Sequence, residues 1–388
     1  MTIVIENANI VMETETITGG SLTIDGGKIV RIGQHAPDPD SAAADKYDAR
    51  GAFIYPGFID LHVHGGNGFD LMDATPEAIE GMCHYHAAHG TTTLLPTTRT
   101  APIAAITSAL TAAKAYMASS QEPLRSLIAG IHLEGPFLAS AYRGAQFEQE
   151  LLQPSLPQMK EWLDASGGQI RLVTIAPELD GAESVIRHLR EQNIIVSAGH
   201  SGATYEDMIR AAGWGVQHVT HCYNGMRGFH HREPGMLAAA WLDERVTAEL
   251  IFDTHHAHPA AAQVLLHMKG LDRVVLITDA VRPAGLPNGK YITEAGDSLT
   301  VEAGIVRLPT GSLAGSTLTM NIAVKNAIEL LGLKPYEAAR LASLNPARIL
   351  GLNQRKGSLA PGKDADLVVL NERFEVQRVM SLGHWLEL

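Results

Sequence analysis

Cysteine is nearly absent. Cys83 and Cys222 are the only two in 388 residues, too few for a disulfide framework, and no Cys-x-x-Cys zinc motif exists. A reducing compartment is expected. Aromatic residues make up 5% of the chain, and no Lys/Arg-rich run interrupts a formal charge of −12. These two scarcities exclude a general nucleic-acid or anionic-membrane surface. They do not exclude a small anionic substrate, which needs only a local pocket. No uninterrupted apolar run is long enough to span a bilayer. The opening MTIVIENANI lacks the basic start and long apolar stretch of a secretory signal, so the expectation is a cytoplasmic, soluble protein. No GxGxxG or phosphate-loop pattern follows an expected strand, and no nucleotide cofactor is expected.

What is present is an ordinary folded composition, 45% hydrophobic and 19% charged, with 37 glycines. Its length suits one large domain plus a small one. Residues 2–11, 20–25 and 28–33 read as strands, with Gly26-Gly27 as a hairpin turn. A Pro/Asp/Ala-rich connection, 36–46, follows. Residues 365–370 and 376–380 read as strands near the other end. The two termini are therefore expected to form one small β-sandwich domain, 1–54 plus 356–388. From about 55 to 355 strands alternate with helices. Strands are expected at 57–64, 91–97, 128–134, 171–176, 194–200, 217–222, 247–253 and 273–279, and helices at 76–89, 101–118, 181–192, 204–213 and 259–269. Eight strands with helical crossovers predict an α/β fold, a parallel (β/α)8 TIM-like barrel.

The polar residues fall at the strand ends. Side chains two apart on a strand point the same way, so His62-Val63-His64 aims two imidazoles at one point. Glu134 ends the third strand in HLEGP, His200 the fifth in SAGHS, His221 the sixth in THCYN and Asp279 the eighth in ITDA. All C-terminal strand ends of such a barrel face one mouth, where active sites sit. Six metal-capable side chains from five segments would converge there, a donor set that suits zinc or ferrous iron with a position open for water.

With these segments in hand, PGFIDLHVHG (56–65), HLEGPF (132–137), GHS (199–201), THCYNGM (220–226), HHREPGM (230–236), ITDA (277–280) and LAGSTLTM (313–320) make the chain resemble the amidohydrolase superfamily. Within it, the chain is similar to the N-acetylglucosamine-6-phosphate deacetylases, with the N-acetylgalactosamine-6-phosphate deacetylases as close relatives. The resemblance implies Glu134, His200 and His221 as principal metal ligands, and His62 and His64 as a second position that some members keep. One or two divalent ions are expected. Many relatives use a carboxylated lysine after the fourth strand, but 171–180 (RLVTIAPELD) has none, which favours the deacetylase branch. Asp279 is the expected proton carrier, taking a proton from water and returning it to the departing amine. His256 is expected to contact substrate and polarise the acyl carbonyl.

Asn224 and Gly225 resemble a turn whose backbone N–H groups hold a sugar phosphate. Arg232 resembles an arginine that reaches the neighbouring subunit's site in a homodimer, and His231 is a weaker candidate for the same task. Leu313–Ser316 reads as a loop covering the substrate. After HLEGPF the family often carries Lys-Gly-Ala-His, whose histidine touches the sugar. Here the run is Arg143-Gly144-Ala145-Gln146, and Gln146 hydrogen-bonds without carrying charge. The family usually has glycine near Thr254. His84, His86 and His89 read as surface histidines on a helix, as do His188 and His267, and Cys222 as a packed thiol pointing away from the metal. Two rivals stand beside this reading. One is another amidohydrolase, such as a D-aminoacylase or dipeptidase; the other is a barrel that has lost ligands and only binds.

Overall fold

The structure, a computed structural model, describes residues 2–34, 44–119, 125–292, 296 and 298–387. Most of the expected connection at 36–46 lies outside the described residues, and its last two residues belong to the short strand Asp45–Asp48. Strands from both termini share one sheet. Its order is 384–385, 376–381, 367–370, 53–56, 2–11, 16–25 and 28–33, with 45–48 also paired to 2–11. The key pairing is antiparallel, Leu367–Leu370 against Phe53–Pro56. Gly26 and Gly27 both take positive φ, 54° and 76°, which the hairpin between 16–25 and 28–33 requires. Lys28 reaches across to Asp364, and the buried Lys356 pairs with Asp366, so charges as well as backbone bonds tie the two ends together.

Eight parallel strands follow: Phe58–Val63, Thr91–Pro96, Ile131–Glu134, Ile170–Ile175, Ile195–Ala198, Val216–Val219, Thr247–Ile251 and Val274–Ile277. Neighbours pair in sequence order from the third strand to the eighth. The second joins the third through the Thr97–His132 bridge, and the eighth returns to the first through Val63–Ala280. That return closes the ring, with Asp279 N–H donating to His62 O at 2.9 Å. The fold is a (β/α)8 barrel joined to a small sheet built from both termini. A helix follows each strand: 76–88, 103–119, 156–165, 182–191, 205–214, 235–242, 259–269 and 320–331. Their starts are written in the sequence. Thr75 caps Ala78 N–H with Pro76 next in line, and Thr204 forms a capping box with Asp207. Among the described residues no helix is long and apolar enough to cross a membrane.

Alternation along the strands sorts side chains into two environments. In the first strand Ile59, Leu61 and Val63 join the main apolar core beneath the helices. Asp60 and His62, equally buried, point the other way, into the barrel.

One stretch of the chain differs from the sequence-based expectation. After the eighth strand a four-stranded antiparallel meander, 289–292, 298–302, 305–307 and 313–316, leaves the barrel before the helix at 320–331. Leu313–Ser316 is thus a strand, not a loop. Its backbone pairs on one side with 305–307 and on the other bridges Ala280, so backbone hydrogen bonds fix it over the barrel mouth.

Candidate active site

Three polar side chains lie just past their strands on residues with positive φ: His200 at 48°, His221 at 29° and Asp279 at 49°. Non-glycine residues rarely adopt this conformation. Here it turns the chain sharply at the barrel rim and redirects each side chain inward. Thr254 shows the same strain at φ 72°, which explains why glycine would sit more easily in that loop.

Four histidines share one hydrogen-bonding pattern. His64 Nδ1 lies 3.2 Å from Thr97 O, His200 Nδ1 3.0 Å from Tyr142 O and His221 Nδ1 3.0 Å from Asn224 O. A carbonyl oxygen only accepts, so each Nδ1 carries the proton and each Nε2 lone pair is free. His62 Nδ1 likewise faces Glu249 Oε2 at 3.1 Å. The free edges then meet. Nε2 of His62 and His64 are 3.2 Å apart, and Nε2 of His200 and His221 are 3.1 Å apart. Glu134 Oε1 stands 3.3–3.4 Å from His62, His200 and His221, and Asp279 Oδ1 stands 3.2 Å from His64. Lone pairs facing one another at such distances repel unless a cation or proton lies between them. The donor set fits a divalent metal: Glu134, His200 and His221 form one group of ligand atoms, and His62, His64 and Asp279 another.

Electrostatics agree. Burial pushes Glu134 and Asp279 upward, but the neighbouring histidines, His62 foremost, outweigh it and hold both carboxyls below their ordinary range. Burial lowers His62, yet Glu134, Asp279 and Glu249 together raise it to about 10, so without another cation its Nε2 holds a proton, and that lone pair becomes available only where a metal takes the proton's place. This field attracts positive charge.

The floor lies under a cavity of about 330 Å³. Its lining brings together His64, Glu134, Ala145, Gln146, His200, His221, Asn224, Gly225, His256, Asp279 and Leu313. His62 lies beneath, fully buried. Arg232 and His231 do not line it; both are exposed, with Arg232 Nη1 2.8 Å from His231 Nε2. At the turn after the sixth strand, Asn224 N–H already donates to His221 O at 2.9 Å. Of the two expected anion donors, only Gly225 N–H is left without an acceptor among the described residues. Gly225 has φ 57°, and a Cβ there would lie 2.9 Å from His200 Nδ1, so the turn needs glycine at this point. Gln146 donates from Nε2 to Glu134 Oε2 at 2.5 Å; the resemblance pointed it at a sugar. His256 gives Nδ1 to Asp253 Oδ2 at 2.7 Å, leaving Nε2 as its free edge.

Sequence reasoning missed the layer below. Glu249, fully buried, bonds His62 Nδ1, His218 Nε2 and His221 N–H. Burial pushes its carboxyl up, but His62 and His218 hold it well below the usual range. Asp60 bonds Thr278 Oγ1 and His62 N–H, and burial raises it to about 7. His132 bonds Thr174 Oγ1, and burial lowers it to about 3. The signal was available: Asp60 precedes His62, and His132 precedes Glu134, by the same two residues that separate His62 from His64.

His86 was also misjudged. It is fully buried and donates Nε2–H to Gly65 O at 3.0 Å, bracing the turn that follows His64. His84 is exposed, as is His267, while His89 and His188 are half-buried. Cys222 is a buried thiol, its pKa pushed up to about 12 by burial.

Known proteins share this arrangement of chain. The amidohydrolase family model matches residues 53–386. The chain is 39% identical over 383 residues to the N-acetylgalactosamine-6-phosphate deacetylase of Escherichia coli O157:H7, covering 99% of both. It is 38% identical to the N-acetylglucosamine-6-phosphate deacetylase of Bacillus subtilis (strain 168), covering 98% of this chain and 96% of that one. The crystal structure of N-acetyl-D-glucosamine-6-phosphate deacetylase from Mycobacterium smegmatis superposes with a TM-score of 0.91 at 36% identity, over 99% of this chain and 100% of that one.

Proposed function

The chain belongs to the amidohydrolase family, and from that premise we propose that it hydrolyses the N-acetyl group of N-acetylglucosamine 6-phosphate. The products are glucosamine 6-phosphate and acetate. It is a metal-dependent amide hydrolase of phosphorylated amino sugars. The observation that carries the reading is the convergence of four Nε2 lone pairs on Glu134 and Asp279 at the floor of the cavity. Relatives named for each epimer match at 39% and 38%, so N-acetylgalactosamine 6-phosphate is the second reading.

Glu134, His200 and His221 would hold one ion, and His62 with His64 a second. Zinc is our assignment, with ferrous iron the alternative. When bound, the ion polarises the acyl carbonyl and lowers the pKa of water to about 7. Asp279 takes the proton of the attacking water as its oxygen bonds to the acyl carbon. The C–N bond then breaks, and Asp279 returns the proton to the nitrogen, because an unprotonated amine leaves poorly. His256, its ring fixed by Asp253, offers Nε2 to the acyl oxygen. The Asn224–Gly225 turn receives the phosphate.

Arg232, exposed and outside the cavity of its own chain, suits a homodimer in which it completes the phosphate site of the partner. Two buried free cysteines suit the cytoplasm. Residues 55–355 would be the catalytic unit, and 1–54 with 356–388 the accessory one.

Amine release by zinc-loaded protein from the two phosphorylated epimers and from unphosphorylated N-acetylglucosamine tests the reading. Strong preference for one phosphorylated sugar is expected. Turnover of neither would move the function to another amidohydrolase, such as a dipeptidase. Arg232→Ala should raise KM about tenfold with kcat little changed, since a forked guanidinium on phosphate contributes binding.

A further inference from the structure

Arg99 has no task in the chemistry just described. It follows the second barrel strand and lines the cavity. Its Nε is buried without a hydrogen-bond partner, and among the described residues it forms no ion pair. Its guanidinium carbon lies 5.7 Å from the centroid of the Phe147 ring, a contact that steadies a planar cation. The backbone on either side is pinned. Thr98 N–H donates to His132 O at 3.0 Å, and Thr100 N–H to Gln146 Oε1 at 2.8 Å. The cavity's other arginine, Arg282, is neutralised by Asp73. Arg99 is thus a preorganised cation in a substrate cavity whose own carboxylates are engaged elsewhere: Glu134 and Asp279 by histidines, Asp70 by the Met72 amide.

Its place in the ring says which part of a substrate it meets. The Asn224–Gly225 turn follows the sixth strand and Arg99 follows the second, so the two stand on opposite sides of an eight-stranded barrel. The metal-ligand cluster lies between them. This step rests on the proposed deacetylase reading, in which phosphate occupies the turn and the scissile carbonyl the centre. The sugar then fills the sixth-strand side, and the acyl substituent points toward Arg99. An acetyl methyl gives a guanidinium nothing to bind. We propose that the site accepts N-acyl amino-sugar phosphates whose acyl group carries a further oxygen, a hydroxyl or carboxylate, and that Arg99 recognises that oxygen.

The test compares N-glycolyl-, N-succinyl- and N-acetylglucosamine 6-phosphate as substrates of the zinc-loaded protein and its Arg99→Met and Arg99→Lys variants. The wild type should turn over at least one oxygenated substrate with kcat/KM no lower than that of the acetyl compound. The ratio of oxygenated to acetyl kcat/KM should fall about tenfold or more in Arg99→Met and recover in part in Arg99→Lys. An unchanged ratio in Arg99→Met overturns the proposal. So does a wild type that hydrolyses the acetyl sugar but neither oxygenated one, a result that needs no folded variant. If none of the three is turned over, the same three N-acyl groups are compared on galactosamine 6-phosphate; turnover of none in either series overturns the deacetylase reading itself, and this proposal with it.

Discussion

Gln146 grips Glu134: its Nε2 donates to Glu134 Oε2 at 2.5 Å, while its Oε1 accepts from Thr100 N–H at 2.8 Å. Because a backbone N–H only donates, the carboxamide orientation is fixed. Gln146→Leu removes both bonds from a buried carboxylate and a backbone donor. The expected result is a loss of about 1–3 kcal/mol in stability and roughly a tenfold drop in kcat/KM. Urea melts and steady-state kinetics read the two effects separately.

Removing metal should abolish activity, and zinc should restore it. The wild type is expected to hold two equivalents, and the double variant His62→Ala/His64→Ala one. Metal analysis after exhaustive dialysis decides this. A single equivalent in both proteins would dismiss the second ion.

Asp279→Asn keeps the shape of the side chain and removes its basicity. A general acid–base group contributes roughly 10²–10⁴ in rate, so kcat should fall within that range while KM stays within a few-fold. An unaltered far-UV spectrum confirms that folding is intact. A fall of less than tenfold would assign the proton transfers to another group.

His86 makes the protein acid-sensitive. Burial lowers its pKa to about 4 from an ordinary 6.5. Below pH 6.5 the unfolded chain binds a proton that the buried ring refuses. Its contribution is therefore complete above about pH 6.5, falls as pH drops toward 4 and levels off below that. The full span is roughly 3 kcal/mol. Urea unfolding at pH 7.5 and pH 5 should show the wild type losing more stability than His86→Gln. Equal losses would contradict the assignment.

The residues that carry the site were legible because chemistry and period coincide. His62 and His64 alternate on a strand, and Glu134 closes one. His200, His221 and Asp279 follow short β-branched or apolar runs by a constant small offset. The meander at 289–316 was not legible. Its strands are short, half-exposed and interrupted by turns, so no alternation long enough to register accompanies them. His86 was misplaced for a different reason. A helix buries whichever face its neighbours cover, and nothing in its local sequence says that the Gly65 carbonyl waits opposite.

Amino-acid order by itself determined the eight-fold alternation of strand and helix, the polar residues at strand ends and the choice of imidazole and carboxylate over thiolate. These follow from properties of neighbours in the chain: side-chain alternation, capping and composition. Tertiary structure alone decided how those groups are held. It set Glu249 under His62 and His221 across 187 and 28 residues of chain, turned Gln146 onto Glu134 and left Arg99, among the described residues, without an ion pair at the rim opposite Gly225. Ring closure between the first and eighth strands makes these groups neighbours, and burial then forces every carboxylate in the barrel to find a donor, because an unpaired charge there would cost several kcal/mol.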